Sequence, residues 1–131
     1  MSQKRFLTPA TLSPPFGYSH VVEAPAGTMV YISGQVPLDA KGQLVGAGDF
    51  AAQTRQVFEN LTRALEAADA TWSDVVKLDY FLRDVGQIGA VRAIRDEYVD
   101  TANPPASTLV EVSSLFSPDV LVEVQAVAIK G

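Results

Sequence analysis

No cysteine occurs in this chain. Thiolate nucleophiles, disulfide frameworks and cysteine-based zinc sites are excluded together. A single histidine, His20, stands without a second histidine or a nearby acid-and-serine motif, so no catalytic triad and no histidine-rich metal site can be assembled. Nor is there carboxylate spacing of the EF-hand type, and no metal is expected. Basic residues are scarce: ten lysines and arginines against fifteen acids give a formal charge of −5 and no footprint for nucleic acid or an anionic membrane. No apolar run reaches the ~18 residues that span a bilayer, and the N-terminal segment lacks the apolar core of a signal peptide. These absences fit a cytoplasmic protein.

What remains is an ordinary globular composition, 47% hydrophobic and 19% charged. Its 131 residues read as one domain over 1–131, long enough to bury a core without metal or disulfide. No linker, repeat or low-complexity segment divides it. The first twenty residues are rich in Pro, Ser and Thr, with a short strand at Arg5–Leu7. "HVVEAPAGTMVYISGQV" places two β-branched runs around Pro25-Ala26-Gly27 and predicts a hairpin. A second turn at Lys41-Gly42 leads to a short strand at Leu44-Val45. From Asp49, a candidate N-cap after a Gly-Ala-Gly loop, the period becomes helical. Phe50, Thr54, Val57, Phe58, Leu61, Ala64, Leu65 and Ala68 form one stripe, and Gln53, Gln56, Glu59, Asn60 and Arg63 form the opposite, solvated face.

"SDVVKLDYFL" alternates as a strand, and a second helix fits Gln87–Val99, capped by Asp84, with Val91, Ile94 and Tyr98 as its core stripe. Pro104-Pro105 ends that helix, and "STLVEV" and "DVLVEVQAVAI" supply the last two strands. The order β-β-α-β-α-β-β predicts an α+β domain with two helices on one face of a mixed sheet. No element remains for the other face, assigned Val22, Ile32, Phe81, Leu121 and Val127. A sheet left half bare predicts oligomerisation through that face.

Two features carry chemistry beyond the fold. "YISGQV" sets Ser33, Gly34 and Gln35 at a strand interior or end, where glycine marks either a β-bulge or a close approach by a ligand or another backbone. Glu123 is one acid in the otherwise apolar "VLVEVQAVAI". It is either a solubilising charge or, facing a subunit cleft, a carboxylate suited to handling a water proton. By contrast, the Gly46-Ala47-Gly48 run lacks the third glycine and preceding long strand of a dinucleotide fingerprint. His20 reads as a partly exposed structural side chain.

Taken together, "FGYSH", "YISGQV", "GDFAAQTRQVFENLTRALEAADATWSDVVKLDYFL", "PPAST" and "VLVEVQAVAI" resemble the Rid (YjgF) family of small trimeric proteins, over roughly Tyr18 to Ala128. The resemblance implies a chorismate-mutase-like fold, a mixed six-stranded sheet with two helices on one face, and a homotrimer with a ligand cleft at each subunit interface. It also implies hydrolysis of enamines and imines such as 2-aminoacrylate to keto acids, without cofactor. An older family label, endoribonuclease, fits the acidic charge of this chain poorly. By the same resemblance Tyr18 and Glu123 are the catalytic positions, with Glu123 ordering water. Ser33, Gly34 and Leu109 shape the substrate site, Leu109 through its backbone.

One departure stands out. Deaminating members carry an arginine after the Pro-Ala of "PPAST" that clamps the substrate carboxylate; here that residue is Ser107. In the second helix the family usually has asparagine at the position of Arg92 and tyrosine at that of Arg95. Arg92 therefore either supplies a relocated anion clamp or pairs on the surface with Asp96 at i+4. The expected function is hydrolysis of an imine or enamine by a cytoplasmic homotrimer that is a poor 2-aminoacrylate deaminase. Its ligand is expected to be a small carboxylate or imine. The alternative is a non-catalytic, ligand-binding or regulatory trimer, and RNA cleavage ranks last.

Overall fold

In the computed structural model, residues 4–131 are described. Six strands and two α-helices follow in the order β1 (Arg5–Leu7), β2 (Val21–Glu23), β3 (Thr28–Gln35), α1 (Phe50–Ala67), β4 (Val75–Leu82), α2 (Ile88–Arg95), β5 (Ala106–Glu111) and β6 (Val122–Lys130). This is the expected α+β arrangement, with two helices against a mixed sheet. The six strands are nevertheless split between two sheets. Four form the main sheet in the order β3-β6-β4-β5, and β1 and β2 form a separate ribbon. The pairings β3-β6 and β4-β6 are antiparallel, while β4-β5 is parallel.

The expected hairpin around Pro25-Ala26-Gly27 does not form. β2 pairs with β1, Val22 opposite Phe6, and β3 pairs with β6 near the chain's other end, Tyr31 opposite Val127. The apolar alternation of both strands is real, but alternation specifies a buried face and not a partner. Leu44 makes a single bridge to Leu38 rather than a strand.

α1 follows its sequence pattern closely. The Asp49 carboxylate accepts from the Ala52 amide at 3.1 Å and caps the first turn. Val57, Phe58, Leu61 and Leu65 are fully buried against Leu78, Tyr80 and Leu82 of β4 and Val122, Val124, Ala126 and Ala128 of β6. Side chains of that size contribute roughly 1.5–3 kcal/mol each on burial. The second helix is shorter than its pattern. A 3-10 turn at Val85–Gln87, capped by Asp84, precedes it, and after Arg95 the bonds mix i−3 spacing, as in Tyr98 N to Arg95 O at 2.9 Å, with i−4 spacing, as in Val99 N to Arg95 O at 3.0 Å.

Gln53 departs from its expected place on the solvated face. It is fully buried, and its amide nitrogen donates to the carbonyls of Gly46 (3.1 Å) and Asp119 (2.9 Å). Its amide oxygen accepts from the Leu121 amide at 2.9 Å. One side chain thus ties the start of α1 to the loop that leads into β6, and it supplies the Asp119 carbonyl and the Leu121 amide with the partner that water would otherwise provide.

The face of the main sheet away from the helices is open. Tyr31 is 72% exposed, Met29 49% and Val110 40%, with Phe81 and Val127 half-buried beside them. Of the five residues assigned to this face from sequence, Phe81 and Val127 lie on it. Ile32 is in the core, Val22 belongs to the β1-β2 ribbon, and Leu121 packs against the core just before β6. The centre of the face is polar. Lys77 bonds Asp79 and the Thr108 hydroxyl (3.0 Å), and Gln125 donates to Asp79 at 3.2 Å. Replacing Gln53 with leucine keeps the volume but takes away the partner of the Asp119 carbonyl and of the Leu121 amide, while the Gly46 carbonyl keeps its bond from the Asp49 amide. Gln53→Leu is expected to lose about 2–4 kcal/mol of stability by chemical denaturation; a loss below about 0.5 kcal/mol would contradict the latch.

Candidate functional site

Backbone pairing builds one wall of a small cavity. Ser19 is buried; its amide donates to the Pro105 carbonyl at 3.1 Å and its hydroxyl to the Pro104 carbonyl at 2.6 Å. A parallel bridge from Ser19 to Ala106 fixes the neighbouring residues, Phe16 to Tyr18, beside the start of β5. The register of β4 with β5 sets Ser107 opposite Leu78 and Leu109 opposite Tyr80, so both point to the helix side of the sheet. α2 closes the space from above. The cavity has a volume of about 190 Å³ and is lined by Phe16, Tyr18, Tyr80, Ile88, Val91, Arg92, Arg95, Ser107 and Leu109.

Four residues singled out in the sequence therefore meet: Tyr18, Arg92, Ser107 and Leu109. Leu109, opposite Tyr80, packs against the core from the same face of the sheet. Arg92 does not form the surface pair with Asp96; its guanidinium sits 5.3 Å from the centre of the Phe16 ring, a cation–π contact. Asp96 instead accepts from Arg95 Nε at 2.9 Å. Arg95 is 7% exposed and turned into the cavity. The guanidinium lies so close to Gly17, at φ 78°, that a Cβ there would overlap it. Tyr18 meets the His20 ring edge-on at 5.3 Å, and His20 bonds the Ser13 carbonyl at 2.6 Å, a structural setting.

Glu123, Ser33 and Gly34 are elsewhere. Glu123 alternates with the buried Val122 and Val124 and pairs with Phe81, which turns it to the open sheet face. Between Ile32 and Gln35 the β3-β6 register slips by one residue, a bulge centred on Ser33-Gly34. The bulge reading of that glycine holds, and what approaches it closely is a side chain, neither a ligand nor another backbone. The strand bulges, and the Glu123 carboxylate lies where a Gly34 side chain would be. Ser33 is exposed beside it. The candidate residues form two groups on opposite faces of one sheet. Among the described residues, no cluster of His, Asp and Glu is arranged to hold a metal ion, and no helix is long and apolar enough to cross a membrane.

Comparison with known proteins follows the same outline. The profile of the endoribonuclease L-PSP family matches residues 8–130. The 3-aminoacrylate deaminase RutC of Acinetobacter baylyi is 36% identical over 125 residues, 95% of this chain and 97% of its own. A 2-iminobutanoate/2-iminopropanoate deaminase of Salmonella typhimurium is 36% identical over 124 residues, covering 93% and 91%. The crystal structure of a Rid-family protein from Yersinia pestis superposes with a TM-score of 0.87 at 38% identity, over 97% of this chain and 98% of that one.

Because Glu123 occupies the space above Gly34, a methyl group there must displace the flexible end of the carboxylate. Gly34→Ala is expected to fold with a loss of about 1 kcal/mol and to move Glu123 to another rotamer. A crystal structure of the variant with Glu123 unmoved would count against this contact.

Proposed function

The chain belongs to the endoribonuclease L-PSP family, which includes the Rid (YjgF) and RutC proteins, and on that footing we propose that it hydrolyses a small imine or enamine in clefts between the subunits of a homotrimer. The observation that carries this reading is the division of the candidate residues between two faces. Tyr18, Ser107 and Leu109 line the cavity under α2, while Glu123 and Ser33 lie on the open sheet face. In a closed ring of identical copies the open face of one copy meets the cavity edge of the next, a heterologous contact. The apolar surface of Met29, Tyr31 and Val110 supports such a contact, since a monomer rarely leaves a face of this kind in water.

The chemistry asked of the cleft is modest. Water must be oriented against an electrophilic C=N carbon, a proton must reach the departing nitrogen, and the substrate must be held. Glu123 is suited to order the water and take its proton, and Tyr18 and Ser33 to shape the pocket. Named relatives act on 3-aminoacrylate and on 2-iminobutanoate and 2-iminopropanoate. Ser107 sets this chain apart, because a hydroxyl cannot form the bidentate pair that arginine forms with a carboxylate. Positive charge enters the cavity instead from α2, through Arg92 and Arg95. The natural protein is therefore a poor deaminase of 2-aminoacrylate and favours another imine.

Two experiments test this reading, one of assembly and one of turnover. Sedimentation is expected to give a species three times the 14.0 kDa chain mass. Tyr31→Glu, which sets a charge in the apolar face, is expected to shift it towards the monomer; a stable monomer at micromolar concentration would sink the shared cleft. Ammonia release from a panel of freshly generated imines is expected to show turnover of at least one substrate, reduced about 10²–10⁴-fold by Glu123→Gln. On 2-aminoacrylate, Ser107→Arg is expected to raise the rate at least about tenfold. No ammonia from any imine would leave a non-catalytic binding trimer.

A further inference from the structure

We propose that Arg95 and the Tyr80 hydroxyl together hold the carboxylate of the ligand in the cavity under α2. This inference rests on reading that cavity as one half of the ligand cleft, but it assigns the anion to residues that family resemblance does not supply.

Tyr80 is the starting observation. It is 2% exposed, it lines the cavity, and its hydroxyl is the one buried side-chain polar atom among the described residues without a hydrogen-bond partner. A buried hydroxyl left unpaired is costly and rare, and such a group calls for a partner that the chain itself lacks. Burial holds the phenol well above its ordinary range, with the charge of Arg95 only partly opposing it, so the group keeps its proton and donates. The missing partner is therefore an acceptor.

Arg95 lines the same cavity, from α2, with the complementary property. Its Nε is engaged by Asp96, while Nη1 and Nη2 have no hydrogen-bond partner among the described residues. That leaves the two Nη groups as a fork for a planar two-oxygen anion approaching end-on, the geometry in which guanidinium binds carboxylate most selectively. Asp96 holds the side chain from one direction and Gly17 packs against it from another, so the fork is placed before a ligand arrives. No acid lines the cavity to compete for it. Arg92 is also without a hydrogen-bond partner among the described residues, but it is less buried and nothing polar fixes it: its guanidinium rests on the exposed ring of Phe16. A volume of about 190 Å³ suits a carboxylate of a few carbons.

Titration calorimetry with 2-oxobutyrate and its neutral amide tests the assignment in the full-length protein. Expected are a clear preference for the acid and a loss of about thirtyfold in its affinity with Arg95→Gln. A loss of about tenfold is expected with Tyr80→Phe, and about threefold or less with Arg92→Ala. Binding of the amide should change little in any of them. Tyr80→Phe also guards against a trivial folding defect. It removes an unpaired buried hydroxyl, so its melting temperature should match or exceed that of the natural protein while carboxylate binding falls. Equal binding of acid and amide would overturn the proposal. So would a large loss confined to Arg92→Ala, or Tyr80→Phe and Arg95→Gln both within about twofold of the natural protein. The expected pattern in a protein that releases no ammonia from any imine would retain this anion site and remove the hydrolase reading alone.

Discussion

Successive side chains along β4 and β6 point to opposite faces of the sheet, and that alternation governs both the core and the candidate site. Leu78, Tyr80 and Leu82, with Val122, Val124, Ala126 and Ala128, face the helices and are buried. The residues between them, Lys77, Asp79, Phe81, Glu123 and Gln125, face the other way. A pleated strand cannot send neighbours to the same side without a bulge. Glu123 is thus committed to the open face by the very residues that anchor β6 in the core, and Ser107 and Leu109 are committed to the helix face by their register with β4.

The loops answer to the same sheet. Ser19 fastens the segment from Phe16 to Tyr18 along the free edge of β5 by two hydrogen bonds to Pro104 and Pro105. Gln53 fastens the start of α1 to the chain entering β6. Each joins parts of the chain more than sixty residues apart, and each uses one buried polar side chain to satisfy backbone groups that no strand or helix reaches. These fastenings allow an irregular segment to present Phe16 and Tyr18 to a cavity at fixed positions, at the cost of burying groups that tolerate little substitution.

The cavity under α2 concentrates what is unusual in this chain. Where the resemblance places an arginine on β5, there is serine, and the guanidinium groups come from α2, one stacked on Phe16 and one held by Asp96. Moving a cation from strand to helix changes the direction from which an anion is approached while leaving its chemistry intact. On the proposed reading, a substrate held from the helix side would offer a different atom to Glu123 of a neighbouring copy.

Much of this was legible in the residues alone. The helical period of α1, the Asp49 cap, the alternation of β4 to β6 and the end of α2 before Pro104 all follow from local chemistry, because spacing, capping and proline geometry act within a few residues. The bare sheet face was legible as a deficit of covering elements. Gln53 was misplaced because a glutamine beside an apolar stripe carries no mark of what it will bond. The partner of β3 was missed because β-pairing is decided by contacts a hundred residues away. Nothing in the sequence joins Arg95, a helix residue, to Tyr80, one residue of an alternating strand, because the two meet only when α2 folds over β4. The sequence by itself settled which segments are helix and strand and which chemical groups are present. Only the tertiary structure decided which groups share a cavity, since that depends on strand order and register, where one residue of slip moves a side chain to the opposite face.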